Sequence, residues 1–475
     1  MSGLAARNGG RLGLAALLAI LLLGVGLRLG EAWDGRAPVY DAQGYAAIAA
    51  NLERGEGFTL GADATQPASN YSPGLPLLAA AIYALGGGVD ERLARLVLAL
   101  IGSLAVLFAY LIGRRLAGPL AGLIGGGVVA LYPALLEYQG MLMGEPLAAT
   151  LLSGAVLGTL WADGRGARVL SRGGGAGRAL GFSPGLLTAV RLRLWGEKQD
   201  AASSRHPLPT PPARGWLLPG VLFGALALVR PEYLAIALLV AVVVVVRGGR
   251  DGWRVGLVQA VVMLVGVAVV VAPWTVRNAV ALDRFVPIST GGGQVLFAGS
   301  YLPSGGDPER VGEEVLERHP GLARQLPADA RLEEILAALA VQRYPGMESD
   351  AALARMGRER LWDDVTGQPL AYAGFVAAKL WRIWAFGPRD VMGEPAWKAL
   401  HWALVLLGAL GLALLARQRR WEALLIGAIL LAVTASGALL VASPRRVLVT
   451  LPLIAALAGV AATACRDSLA RRWNG

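Results

Sequence analysis

Two carboxylates and four arginines carry most of this sequence's capacity for chemistry, and all six flank apolar runs. Asp41 stands in Val39-Tyr40-Asp41-Ala42-Gln43-Gly44-Tyr45, shortly after the first such run. It opens a stretch in which Tyr45, Ile48, Ala49 and Leu52 recur at i, i+3, i+4 and i+7, the spacing of one helix face. A carboxylate at a helix start ordinarily accepts backbone N–H bonds as a cap. The functional alternative is a general base that takes a proton at the membrane surface. Glu145, in Met143-Gly144-Glu145-Pro146-Leu147, stands where another apolar run begins. It suits a helix N-terminus as an acid, yet a carboxylate that close to hydrocarbon is costly unless paired or used. Glu137, upstream in the same turn, reads as a solvated acid.

The arginines lie at the ends of later runs: Arg230 in Arg230-Pro231-Glu232, Arg277 in Pro273-Trp274-Thr275-Val276-Arg277-Asn278, and the pair Arg445-Arg446. A guanidinium is always charged and donates as a planar fork, which suits phosphate. Internal ion pairs with Glu145 or Glu232 are the other reading for each. The one cysteine, Cys465, excludes a disulfide framework and a cysteine zinc site, and His206, His319 and His401 lack ligand spacing. A carboxylate-bound magnesium or manganese stays open. No phosphate-cradling glycine motif and no Asp-x-Asp triplet occurs.

These residues must be positioned by a membrane-embedded scaffold. Hydrophobic residues make up 55% of the 475 and charged residues 16%, against about 25% charged in an average soluble domain. That excludes a soluble globular enzyme, a disordered protein and a coiled coil. Apolar runs near 12–29, 94–113, 119–136, 146–161, 215–229, 232–246, 255–273, 397–416, 421–442 and 447–464 give about ten candidate spans. The run at 74–88, broken by Pro and Gly, suits an interfacial or re-entrant helix. With the N-terminus inside, the inner segments hold 22 Lys/Arg against 6 Asp/Glu, and the outer segments 30–93 and 274–396 hold 16 against 24. This positive-inside pattern accounts for the net charge of +11 without nucleic acid. The inner loop 162–214, rich in Gly, Arg, Ser and Pro, reads as disordered. In the outer region Leu332, Ile335, Leu336 and Leu339 mark one helix stripe. Three parts result: a membrane module at 1–273 that contains outer loop 30–93, an outer region at 274–396, and C-terminal membrane helices at 397–475.

Taken in order, these pieces resemble the GT-C superfamily of integral membrane glycosyltransferases, in the branch of protein O-mannosyltransferases and 4-amino-arabinose–lipid A transferases (family 39-like). The likeness lies in Tyr40-Asp41 through Gly57-Phe58, in Tyr71-Ser72-Pro73-Gly74-Leu75-Pro76, in Met143-Gly144-Glu145-Pro146-Leu147, in Pro273-Trp274-Thr275-Val276-Arg277-Asn278 with Phe285-Val286-Pro287-Ile288-Ser289, and in Arg445 with Pro452 seven residues on. Ala42 stands where the family often has a second acid, and Arg446 and Val449 replace a tyrosine and a proline of its C-terminal signature. The resemblance implies an all-α polytopic fold with interfacial helices and a partly helical outer region. It implies transfer, with inversion, of a sugar from a polyprenyl-phosphate donor to a hydroxyl of a glycan, lipid or protein outside the membrane. Asp41 would be the base and Glu145 would orient the acceptor, hold a cation or assist Asp41. Arg230, Arg277, Arg445 or Arg446 would bind the donor phosphate, with Tyr40, Tyr45, Tyr71 and Pro73 along the substrate groove. The expected setting is a bacterial inner or plasma membrane, with both termini cytoplasmic and membrane lipids as neighbours. A transporter or flippase for a lipid-linked or anionic solute is the alternative, and a non-catalytic subunit a third reading.

Overall fold

The computed structural model describes residues 2–36, 41–61, 66–164, 213–385 and 390–473. Tyr40 and nearly all of the basic insert at 162–214 lie outside them. The described chain is helical almost throughout. Its one sheet among the described residues is the two-residue pair β1 (Thr59–Leu60) and β2 (Gln66–Pro67).

Long apolar runs become long helices because hydrocarbon leaves backbone polar groups no partner but their own segment. Six helices are long and apolar enough to cross a membrane, or seven if one bent pair is a single span. They are α1 (Ser2–Asp34), α4 (Glu91–Ala117), α10 (Gly249–Leu282), α17 (Pro395–Arg417), α18 (Trp421–Leu439) and α19 (Arg445–Trp473). The bent pair joins α5 (Pro119–Leu131) to α6 (Pro133–Glu137) and its following turn at an angle of 53°. This is an integral membrane protein. The other three runs differ from plain spans. The helix α7 (Gly144–Ala162) is buried along nearly its whole length, and Thr150, Ser153 and Thr159 bond back to their own backbone. Such small and hydroxylated residues suit helix–helix contact better than lipid. The helices α8 (Leu217–Val229) and α9 (Tyr233–Val246) have 13 and 14 residues, because Arg230-Pro231 breaks the run between them.

The bend after α5 has an identifiable cause. Pro133 has no N–H for the Val129 carbonyl four residues back. Arg28 of α1 supplies the missing donor: its guanidinium bonds the Val129 carbonyl at 2.8 Å and the Ala130 carbonyl at 3.3 Å. An arginine deep in a span is thereby accounted for as a helix cap. The bend also buries Glu137, against the solvated position expected of it: it is 8% exposed and bonds Arg36 at 3.4 Å.

Between β2 and α4 lies α3 (Gly74–Gly86), the expected short helix. Its first residue tolerates no side chain: a Cβ on Gly74 would come within 2.9 Å of the Leu228 and Val229 backbone, so α3 packs directly on the end of α8. The region between α10 and α17 has its own core. It contains α11 (Gly292–Ser300), α12 (Arg310–Arg318), α13 (Pro320–Ala323), α14 (Leu332–Arg343), α15 (Ser349–Gly367) and α16 (Pro369–Ala385). The stripe Ile335, Leu336 and Leu339 of α14 is buried there with Phe297, Tyr301 and Leu353, as the periodicity predicts.

Lys379 of α16 fastens this region to the spans. Its ammonium, buried, donates to the Gly299 carbonyl of α11 and the Ala438 carbonyl at the end of α18. Burial, then the nearby charge of Arg446, pulls it down to about 8 from 10.5. Because the folded value lies below the unfolded one, the unfolded chain binds more protons between those pH values, and stability rises with pH across that window. The expected result is a melting temperature that climbs from pH 8 to 10 in the wild type and climbs less in Lys379→Met, measured by thermal unfolding in detergent.

Candidate active site

The helix α2 (Asp41–Glu53) begins with Asp41. Gly44 lets it lie against the loop before α3: a Cβ there would stand 2.3 Å from the Tyr71 hydroxyl oxygen. Tyr71 in turn meets Tyr45 edge-on, with ring centroids 5.5 Å apart. The N-terminal end of α2 is thus held next to the first turn of α19, where Arg445 stands.

Asp41 Oδ2 lies 2.9 Å from Arg445 Nη2, and Arg445 Nε also donates to Glu145 Oε1. Arg230 Nη2 reaches the same Glu145 oxygen at 2.6 Å and places Nη1 3.8 Å from Glu232. Arg446 Nη1 meets Glu232 at 3.1 Å. Asp41, Arg445, Glu145, Arg230, Glu232 and Arg446 therefore alternate in sign along one connected chain. Local sequence aims two of them. Pro231 disfavours the helical conformation for the residue before it, so Arg230 leaves α8 in an extended conformation. Pro146 follows Glu145 in the first turn of α7, where an acid complements the free N–H groups.

Burial separates the two acids. The Glu145 side chain is fully buried, whereas that of Asp41 is 46% exposed. Among the described residues, Glu145 Oε2 accepts no hydrogen bond. Asp41 can thus meet a molecule arriving at this end of the bundle, and Glu145 holds the arginines behind it.

The sequence-predicted residues divide clearly. Asp41, Glu145, Arg230, Arg445 and Arg446 come together, and the last three are engaged by carboxylates. Tyr45 belongs to the cluster: burial, then the Asp41 charge, raises its hydroxyl above the ordinary value. Tyr71 is pushed up to about 12 by burial, then by Glu333 and Asp41. Pro73 precedes α3 beside the end of α8. Arg277 stands apart, its guanidinium 4.9 Å from the centre of the Trp274 ring and 5.7 Å from that of Phe58, with Asn278 Oδ1 at 3.1 Å. Among the described residues it has no carboxylate partner.

Two residues escaped the sequence reading. Tyr138 places its ring centre 5.9 Å from the Arg445 guanidinium. Glu333 of α14 lies near enough to Asp41 for the charges to interact: burial first, then Asp41, raises its carboxyl. The only sequence signal for Glu333 was that it lies beside, not on, the apolar stripe. Asp41 is paired with Arg445 and Glu145 with Arg445 and Arg230, and among the described residues no three His, Cys, Asp or Glu side chains form a metal-holding group.

No protein-family model matches the sequence, and no curated protein matches it. Solved structures do. The oligosaccharyltransferase AglB of Archaeoglobus fulgidus, in complex with an inhibitory peptide and a dolichol-phosphate, superposes with a TM-score of 0.54 at 16% identity over 96% of this chain. The chain has the GT-C fold. It spans about half the length of AglB, since 50% of that chain is covered. The same oligosaccharyltransferase in complex with Zn and sulfate gives 0.52 at 15% identity, again over 96% of this chain and 50% of that one. ArnT of Cupriavidus metallidurans bound to undecaprenyl phosphate gives a looser match, 0.38 at 16% identity over 95% of this chain and 78% of that one. Within the GT-C fold the site described above occupies the connection after the first helix, together with the starts of α7 and α19.

Proposed function

We propose that this protein is a membrane glycosyltransferase that moves a sugar from a polyprenyl-phosphate donor to an acceptor hydroxyl at the outer face of a plasma membrane. One observation carries the reading: Asp41, half exposed, is ion-paired to an arginine that is itself tied to the buried Glu145. The GT-C fold supports it, as does the dolichol-phosphate in the AglB complex.

In this mechanism Asp41 takes the acceptor proton as the hydroxyl oxygen attacks the anomeric carbon. The bond from that carbon to the phosphate oxygen breaks, the electron pair leaves with the phosphate, and the configuration inverts. Donor phosphate competing for Arg445 frees Asp41 and provides the negative charge that Arg445 then stabilises, an electrostatic contribution that is usually the largest in such reactions. Glu145 keeps Arg445 and Arg230 in place throughout. Arg277, without a carboxylate partner among the described residues, is the arginine most available to a phosphate that arrives along α10. Its replacement by Met is expected to raise the donor KM about tenfold to a hundredfold with kcat little changed, the scale of one charge-assisted hydrogen bond of about 1.5–3 kcal/mol. Donor titration checks this.

The test of the function is transfer of label from a radiolabelled polyprenyl-phosphate sugar in membranes containing the wild-type chain. Labelled product above empty membranes supports it; none across a panel of sugars contradicts it.

A further inference from the structure

The same end of the bundle holds a second feature that the reaction does not use. An open pocket of about 400 Å3 is walled by Glu31 in the last turn of α1 and Arg36 just beyond it, by Leu131, Pro133, Leu136 and Glu137 around the α5–α6 bend, and by Trp397 of α17. Ligand pockets typically enclose about 300–1,000 Å3, with an apolar lining and a few placed polar groups.

The walls are fixed. Tyr132, inside the bend, bonds His401 Nδ1 at 2.8 Å through its hydroxyl, and His401 Nε2 lies 2.8 Å from the Trp384 carbonyl oxygen. His401 follows Trp397 by one helical turn, so these bonds hold the part of α17 that carries Trp397. On the other side the Arg36 N–H donates to the Gly140 carbonyl at 2.8 Å, and the Arg36 guanidinium bridges Glu31 and Glu137 at 3.1 and 3.4 Å.

The lining has a chemical preference. Two carboxylates face one guanidinium, so a phosphate would meet net repulsion. Carboxylate oxygens are acceptors for hydroxyl donors and form the stronger, charge-assisted bonds. An indole offers a broad flat apolar face with a negative quadrupole, matched by the C–H face of a sugar ring. The cavity is also close to the reacting groups. Arg36 precedes Asp41 by five residues, which bounds their Cα separation at about 18 Å even for a fully extended chain. Tyr138, the neighbour of Glu137, lies against Arg445.

We propose that this cavity is a subsite for a neutral, hydroxyl-bearing head group of the acceptor, a sugar residue stacked on Trp397 with its hydroxyls on Glu31 and Glu137. Only the word acceptor rests on the transferase reading.

The experiment uses the full chain in phosphatidylcholine nanodiscs with a diazirine-bearing alkyl glucoside as probe and the corresponding alkyl phosphate as control. Crosslinks are mapped by mass spectrometry. Glucoside label is expected on the 131–137 and 395–401 segments, about tenfold weaker in Trp397→Ala and largely retained in Trp397→Phe, the scale of losing one aromatic anchor. Unchanged labelling in Trp397→Ala, or equal labelling by the alkyl phosphate, would overturn the proposal. Transfer is followed in the same preparations. Labelling without any transfer by the wild type keeps the subsite and removes the transferase reading. Transfer without labelling of these segments removes the subsite and keeps the reading.

Discussion

Replacement of Asp41 by Asn is expected to lower transfer about 10²–10⁴-fold, the usual contribution of a placed general base, while leaving the fold intact. Asn has nearly the same shape and keeps an oxygen for Arg445, but it cannot accept the acceptor's proton. Its structural cost is small for a stated reason. The Asp41 side chain is 46% exposed, and Arg445 keeps its bond to Glu145. Ion pairs open to solvent contribute only about 0–1 kcal/mol. The two readouts should therefore separate: kcat/KM collapses, and the melting temperature moves by no more than a few degrees for a change of about 1 kcal/mol. If Asp41 were merely a helix cap, the order would reverse, with a stability loss of about 0.5–2 kcal/mol and transfer retained.

Glu145→Ala is expected to show a different pattern, with folding lost before chemistry can be measured. Glu145 is fully buried and is shared by Arg230 and Arg445. Removing one partner of a buried ion pair costs about 3–5 kcal/mol, because the remaining charges are left buried without compensation. Two arginines are left here. Arg230 retains Glu232 and Arg445 retains Asp41, so the loss falls on the centre of the network rather than on its ends. Removing Arg230 together with Glu145 should recover part of the loss, since contacting residues couple by about 0.5–3 kcal/mol. Thermal unfolding and yield of Glu145→Ala, Arg230→Met and the double variant check this. Additive losses would show that the two side chains do not interact.

Some of this was legible in the sequence and some was not, for physical reasons. Asp41, Glu145, Arg230 and Arg445 could be singled out because charge beside a long apolar run is costly and therefore rare. The α14 stripe and the short α3 helix were legible because periodicity and the Pro-Gly pattern are local. Which charges pair was not legible: Arg445 and Glu145 are 300 residues apart, and only the packing of α19 against α7 joins them. The same limit hid Glu333 and Tyr138, whose roles depend on elements folding over the site. The span count shows a different limit. Hydropathy cannot tell a lipid-facing helix from an interior one, so the burial of α7 among other helices was not legible in its run. Likewise the runs around Arg230-Pro231 read as two spans although each helix stops at 13 or 14 residues. Glu137 read as solvated because the Pro133 bend that buries it leaves no periodic signal.

The Asp41 end of the bundle is expected to catalyse sugar transfer rather than to pass a lipid-linked solute across the membrane. The most direct measurement is made with the purified chain in proteoliposomes of one orientation, with labelled polyprenyl-phosphate sugar supplied to one leaflet at a time. Transfer to acceptor and movement of the donor between leaflets are followed together. Labelled product is expected only when donor and acceptor share the Asp41 side, with release of polyprenyl phosphate in equal amount, no accelerated movement of the donor, and loss of product in Asp41→Asn. Rapid donor movement between leaflets with no labelled product, unaffected by Asp41→Asn, would contradict it and identify a flippase built on the same fold.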